Sequence, residues 1–212
     1  LIPAQEIYPP AETLNPAFEL AYWAWGLKTA QKWRERLGLP RQAKWDHVID
    51  HLADIPITDS LYQNAENAMS TFEDPAHRKD HPTLLGVLGM LPYKTVDVKV
   101  LQNTLDRVMT TWDWEHTWGW DYPLIAMTAA RVGKPETAVD ALLMDVPKNT
   151  YLNNGHNYQT QSLPLYLPGN GGLLTAVAMM AGGWIGAPDT NAPGFPKDGS
   201  WKVKFEGLNP LL

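Results

Sequence analysis

Apolar residues recur at helical spacing along most of the chain. Over residues 15–38, Phe18, Tyr22, Trp25, Trp33 and Leu37 fall on one face, with Thr29 in the gap, the mark of an amphipathic helix. Asn15-Pro16 is its start signal: an amide N-cap, then a proline at the first helical position, where a missing N–H costs nothing. Lys28, Lys32, Arg34, Glu35 and Arg36 crowd the last turns, and Gly38 and Pro40 end the helix. Trp45, Val48, Ile49 and Leu52 predict a shorter amphipathic helix that Pro56 closes. Residues 57–79 lose the pattern and read as loop. Residues 83–91 are apolar and small, with Gly86 and Gly89, and read as a short buried helix. Val98, Leu101, Leu105, Val108 and Trp112, spaced 3, 4, 3, 4, give another amphipathic helix.

A helical hairpin follows. Residues 124–132 read as a helix ending at Gly133, and Pro135 starts its partner, whose buried face is Ala138, Val139, Leu142, Leu143 and Val146. So short a connection forces the two helices antiparallel and adjacent. Pro147 opens a long loop that reaches Gly171. Residues 173–180 are expected to be a helix buried on all sides. Residues 201–206 alternate with period two and give the one good strand signal. No repeat of the solenoid kind is present. The expected fold class is all-α, six or seven helices in hairpins, with a short C-terminal β tail.

Composition narrows the function classes. The 212 residues carry a net charge of −6, without the basic stripe of a general nucleic-acid binder. No apolar run nears the roughly 20 residues that span a bilayer. With 0 cysteines there is no disulfide scaffold, thiol nucleophile or Cys-ligated zinc. The 6 histidines show no metal-ligand spacing, His47 and His51 reading as a solvated pair, and neither metal nor cofactor is expected. The chain opens Leu1-Ile2-Pro3 with neither initiator Met nor signal peptide, so it reads as the interior of a longer polypeptide.

The unusual count is 10 Trp against 4 Phe, because indole N–H groups need partners that a plain core does not supply. Four of them, Trp112, Trp114, Trp118 and Trp120, lie beside Asp113, Glu115, Asp121 and Tyr122 within eleven residues. Flat rings beside fixed carboxylates suit a sugar, whose C–H face stacks while its hydroxyls seek polar partners. Packing at a helix junction is the plainer role for any single indole. The loop after Pro147 holds Asn149, Asn153, Asn154, His156, Asn157, Gln159, Gln161 and Asn170, with Tyr151, Tyr158 and Tyr166. Amides donate and accept, which matches hydroxyl-rich ligands better than phosphate. Gly169-Asn170-Gly171-Gly172 lacks the Lys-Ser/Thr element of a Walker loop and reads as a tight turn.

The order of these motifs resembles the C-terminal half of the (α/α)6 toroid of six-hairpin glycosidases, closest to the inverting α-L-fucosidase family and more distantly to the maltose phosphorylase family. Pro3-Ala4-Gln5-Glu6-Ile7-Tyr8 before Asn15-Pro16 is similar to the place where these families carry their general acid. Asp80-His81-Pro82-Thr83 resembles a histidine turn before a buried helix, and Gly119-Trp120-Asp121 a Gly-Trp-Ser turn before an inner helix. Gly169-Asn170-Gly171-Gly172 resembles an Asp-Gly-Asn-x-Gly segment. The family aspartate that supports water activation falls on Pro168, and no Asp or Glu stands between Val146 and Pro188.

The resemblance implies a glycoside hydrolase, with residues 1–186 as half of its catalytic domain and 187–212 as linker and β tail. Glu6 is the implied general acid, and Glu115, Asp113 or Asp121, or a residue of the missing N-terminal half, the base. Phosphorolysis is disfavoured, because the amide-rich loop offers few cations for phosphate. The expected sugar contacts are His81, Trp112, Trp114, Trp118, Trp120, His156, Asn157 and Asn170. The expected partners are a carbohydrate and the missing part of the same polypeptide, not nucleic acid or membrane. The resemblance points to periplasmic or extracellular residence. A catalytically inactive carbohydrate-binding relative is the alternative, motivated by Pro168, and a helical scaffold with the indoles on a convex face is a third.

Overall fold

The computed structural model describes residues 13–68, 70–92 and 95–211. The described chain is mostly helical, with two small antiparallel hairpins. Glu6 and its motif lie outside the described residues.

Helix α1 (Ala17–Arg36) occupies the expected span but turns the other way. Its buried residues are Ala17, Glu19, Leu20, Ala21, Ala24 and Gln31, while Tyr22, Trp33 and Leu37 of the expected face are exposed. Small alanines allow close approach to the elements that α1 packs on, the Thr83–Leu85 3-10 turn and α3 (Gly86–Gly89). Asn15 is not its cap. Asn15 has φ 45° and donates to Glu66 Oε2 at 2.7 Å, and Pro16 holds the N-cap position without a side-chain hydrogen bond. Helix α2 (Ala43–Asp50) has no buried residue, and the expected face half fails with Val48 exposed. Reciprocal bonds of 2.9 Å between the Gln31 side chain and the Gln42 backbone tie α2 to α1.

Part of the expected loop is ordered as a hairpin of β1 (Ile57–Thr58) and β2 (Leu61–Tyr62), with Ile57 opposite Tyr62. Asp59 and Ser60 take φ of 50° and 62°, the left-handed pair a two-residue hairpin turn requires. Helix α4 (Val98–Thr111) follows its spacing: Leu101, Leu105 and Val108 are fully buried, and Asp97 caps it through Lys99 and Val100 N–H. Val98 alone of that face is exposed.

Helix α5 (Asp121–Arg131) is the centre. Every residue from Asp121 to Ala130 is buried, and α3, α4, α6 (Pro135–Leu142) and α7 (Leu167–Gly182) all pack on it. Gly89 makes the α3 approach possible, because a Cβ there would overlap the Thr128 hydroxyl. The α5–α6 hairpin forms as expected, with Ala138 and Val139 buried but Leu143 exposed.

The loop after Pro147 is shorter than its sequence implies. A hairpin of β3 (Thr150–Tyr151) and β4 (Asn157–Tyr158) occupies its first half. Helix α7 begins at Leu167, with Pro168 in its first turn, so the Gly-Asn-Gly-Gly segment is helix and not a tight turn. Nor is α7 buried all round, since Leu167, Leu174 and Val177 face outward. Residues 201–206 form no strand. The alternation there meets no partner strand, and strands need one. The tail packs instead on the end of α7: Ala192 and Phe195 join the core, Gly194 N–H bonds Met180 O, and Leu211 bridges to Trp184.

Candidate functional site

The turn before α5 is held from three sides. Trp118 N–H donates to Asp121 Oδ2 at 2.8 Å, and Asp121 N–H returns to Trp118 O at 3.0 Å. The buried Gln159 side chain accepts from Gly119 N–H at 2.9 Å and donates to Thr117 O at 3.1 Å. The Thr117 and Tyr122 hydroxyls share a bond of 2.8 Å. A surface turn would exchange these bonds with water; buried, they fix where Trp118 and Trp120 stand.

Against this turn lies His81. Its Nδ1 shares a 2.8 Å hydrogen bond with Asp121 Oδ1, and its Nε2 lies 3.6 Å from Asp80 Oδ1. The Asp121 side chain has no solvent exposure, that of Asp80 8% and that of His81 22%. Burial pushes the Asp121 carboxyl above the ordinary carboxylate range, while His81 and the Trp118 amide pull it back. The His81 ring stands 4.5 Å from Trp120 and 6.1 Å from Trp118, and Trp118 packs at 5.4 Å on Tyr166. An imidazole fixed by a buried carboxylate and ringed by half-exposed aromatics can hydrogen-bond a hydroxyl and offer it a flat apolar wall.

The expected residues divide around this centre. His81, Trp118, Trp120 and Asp121 come together. Asp121 stands behind the imidazole, with both carboxylate oxygens occupied by His81 Nδ1 and the Trp118 amide. Trp112 is buried elsewhere, its Nε1 donating to Asp80 O at 2.7 Å, so it shapes the Asp80–His81 turn from beneath. Trp114 packs on Tyr122 and the core. Glu115 is exposed and has no hydrogen bond or ion pair to the His81–Asp121 pair. Asp113 pairs with His116, which holds its carboxyl below the usual range.

The amides of the hairpin serve the fold. Asn157 is fully buried, and its Nδ2 donates to Lys148 O and Thr150 O. Its Oδ1 sits between Gly119 and Gly169, where a Cβ on either glycine would overlap it. Asn170 accepts from Asn157 N–H and donates to Gly155 O at 2.7 Å, and His156 bonds Asn154 within the hairpin turn. Three contributors lie outside the expected site residues: Asp80, Gln159 and Tyr166. Asp80 had a signal in its adjacency to His81. Gln159 and Tyr166 had none stronger than membership of an amide-rich loop.

No group of three or more His, Cys, Asp or Glu able to hold a metal occurs among the described residues. No helix among them is long and apolar enough to cross a membrane. No model of a known protein family, no curated protein and no solved structure matches the chain.

Proposed function

We propose that this chain is part of a glycoside hydrolase, the C-terminal half of an (α/α)6 toroid, and that its sugar sits at the N-terminal end of α5. The observation that carries the reading is the convergence of His81, Trp118, Trp120 and Tyr166 on one spot, with Asp121 buried behind it. Indole faces take the apolar side of a pyranose and the imidazole takes a hydroxyl. Glu6 would protonate the departing glycosidic oxygen, a role that needs a raised pKa. A second carboxylate, standing about 6.5–9.5 Å from the acid, would activate water for inversion. Asp121 is a positioning residue in this scheme, and the base comes from the longer polypeptide. The outward faces of α6 and α7, with Leu143, Leu167, Leu174 and Val177 exposed, support a partner of that kind: helix-pair surfaces left open for further hairpins.

The inaccessibility of Asp121 also favours a second reading, a carbohydrate-binding relative without turnover. One experiment separates the two in the longer polypeptide. Hydrolysis by the wild type that is lost in Glu6→Gln, with glycan binding kept, supports the hydrolase. Glycan binding without product release by the wild type supports the inactive relative. Near-normal hydrolysis by Glu6→Gln removes Glu6 from the mechanism.

A further inference from the structure

The C-terminal half of α1 carries a groove that this site does not use. Trp25, Lys28, Thr29, Lys32, Trp33 and Arg36 line a cavity of about 770 Å³ together with the Glu35–Arg41 ion pair, Pro92 and Ile185. The six are spaced 3, 1, 3, 1, 3, a single helical stripe about 16 Å long. The volume lies within the roughly 300–1,000 Å³ of ligand pockets. Of the aromatic face expected to be buried, Trp33 is exposed here, and Trp25 is partly buried with one side against the core.

Its charge sets it apart from the rest of the molecule. Residues 28–41 hold five cations and one acid in a chain of net charge −6. Some of that charge is already engaged. Arg41 pairs with Glu35 and Asp46, and Arg36 lies over the Trp33 ring at 4.7 Å. Lys28 and Lys32 are exposed, and neither makes a hydrogen bond or ion pair among the described residues. Two lysines a turn apart, each flanked by an indole, are costly to bury in a protein–protein packing face. They suit a ligand that brings negative charge at intervals along a chain of flat-faced rings.

We propose that this groove binds an anionic oligosaccharide, carboxylated or sulfated, with Lys28 and Lys32 on its acid groups and Trp25 and Trp33 against its rings. The carbohydrate class rests on the function proposed above; the charge requirement rests on the groove alone.

Calorimetric titration of the 212-residue chain tests it, with hexagalacturonate, a heparin hexasaccharide, neutral maltohexaose and a single-stranded oligonucleotide as probes. The expected result is binding of at least one anionic oligosaccharide that weakens with added NaCl. In Lys28→Gln/Lys32→Gln it falls about tenfold or more, with an unchanged thermal melt, and it persists in His81→Ala. No binding of either anionic sugar, binding indifferent to the lysine pair, or equal binding of the oligonucleotide overturns the proposal. Neutral-sugar binding that depends on His81, with no anionic-sugar binding, leaves the proposed function standing and removes this groove. Lysine-dependent anionic-sugar binding, with no His81-dependent binding of any sugar, does the reverse. If only the hexagalacturonate binds, the acid groups are carboxylates; if only the heparin fragment, sulfates.

Discussion

His81 Nδ1 and Asp121 Oδ1 share a 2.8 Å hydrogen bond across 40 residues of sequence, and the carboxylate has no solvent exposure. A buried group in such a pair is held for position, because its desolvation has to be offset by partners. Replacing Asp121 with Ala leaves His81 and the Trp118 amide without that acceptor. The expected cost is about 3 kcal/mol in urea denaturation, with Asp121→Asn costing less.

The same carboxyl sets a pH dependence with a definite sign. Burial raises Asp121, so at a pH between its unfolded and folded pKa the folded chain binds more protons than the unfolded chain. Its contribution to stability is full below the ordinary carboxylate pKa and is lost as pH rises through the folded value. Asp113, lowered by His116, acts oppositely: its contribution is present above the ordinary value and lost as pH falls through the folded one. Urea midpoints measured between about pH 3 and 8 should show the first dependence vanish in Asp121→Asn and the second in Asp113→Asn.

Gln159 positions the indoles from a distance. Gln159→Ala orphans Gly119 N–H and Thr117 O in a buried turn, so it should cost about 2–3 kcal/mol. Sugar affinity should fall as well, although Gln159 itself is buried. A variant with lowered stability and intact affinity would show that the turn holds without this bridge.

The glycines around Asn157 give a paired prediction. A Cβ on Gly119 or Gly169 overlaps Asn157 Oδ1, so either Gly→Ala change should destabilise by about 1–3 kcal/mol. Gly119→Ala should be partly rescued by Asn157→Ala, a non-additivity that a double-mutant cycle reads directly. Gly171, exposed within α7 with open space where its Cβ would go, should gain about 0.5–1 kcal/mol as Ala.

Local pattern reached some of this molecule and long-range contact held the rest. The 3, 4, 3, 4 spacing located α4, and Pro135 after Gly133 located the α5–α6 hairpin, because those signals are settled within a turn or two of chain. In α1 the alanine stripe and the aromatic stripe both have helical period. Which one faces the core is decided by α3 and the 3-10 turn before it, which the spacing of α1 does not contain. Residues 201–206 alternate as a strand does, but alternation supplies no partner. The last helix begins earlier than its apolar run suggests, at Leu167, because Pro168 falls in the first turn, where proline is tolerated. His81, Trp120 and Asp121 were legible as candidates by residue type and motif. Their roles were not. Only the fold shows that Asp121 is sealed behind His81, that Trp112 supports Asp80 from below, and that Asn157 is fitted between two glycines. The 10 tryptophans accordingly separate by what each ring meets and not by how densely they cluster.

That separation gives the most direct test. Trp118 is half-buried at the His81 site, whereas Trp112 is buried with its N–H bonded to Asp80 O. Calorimetric titration with neutral oligosaccharides should be run on the wild-type chain, Trp118→Ala and Trp112→Phe, alongside their thermal melts. The account predicts that the wild type binds, and that Trp118→Ala loses about tenfold or more in affinity with little change in melting. Trp112→Phe should melt lower, by a loss of about 1–2 kcal/mol, and still bind. No sugar binding by the wild type, or binding that Trp118→Ala leaves untouched, would contradict the claim that this end of α5 is a carbohydrate site.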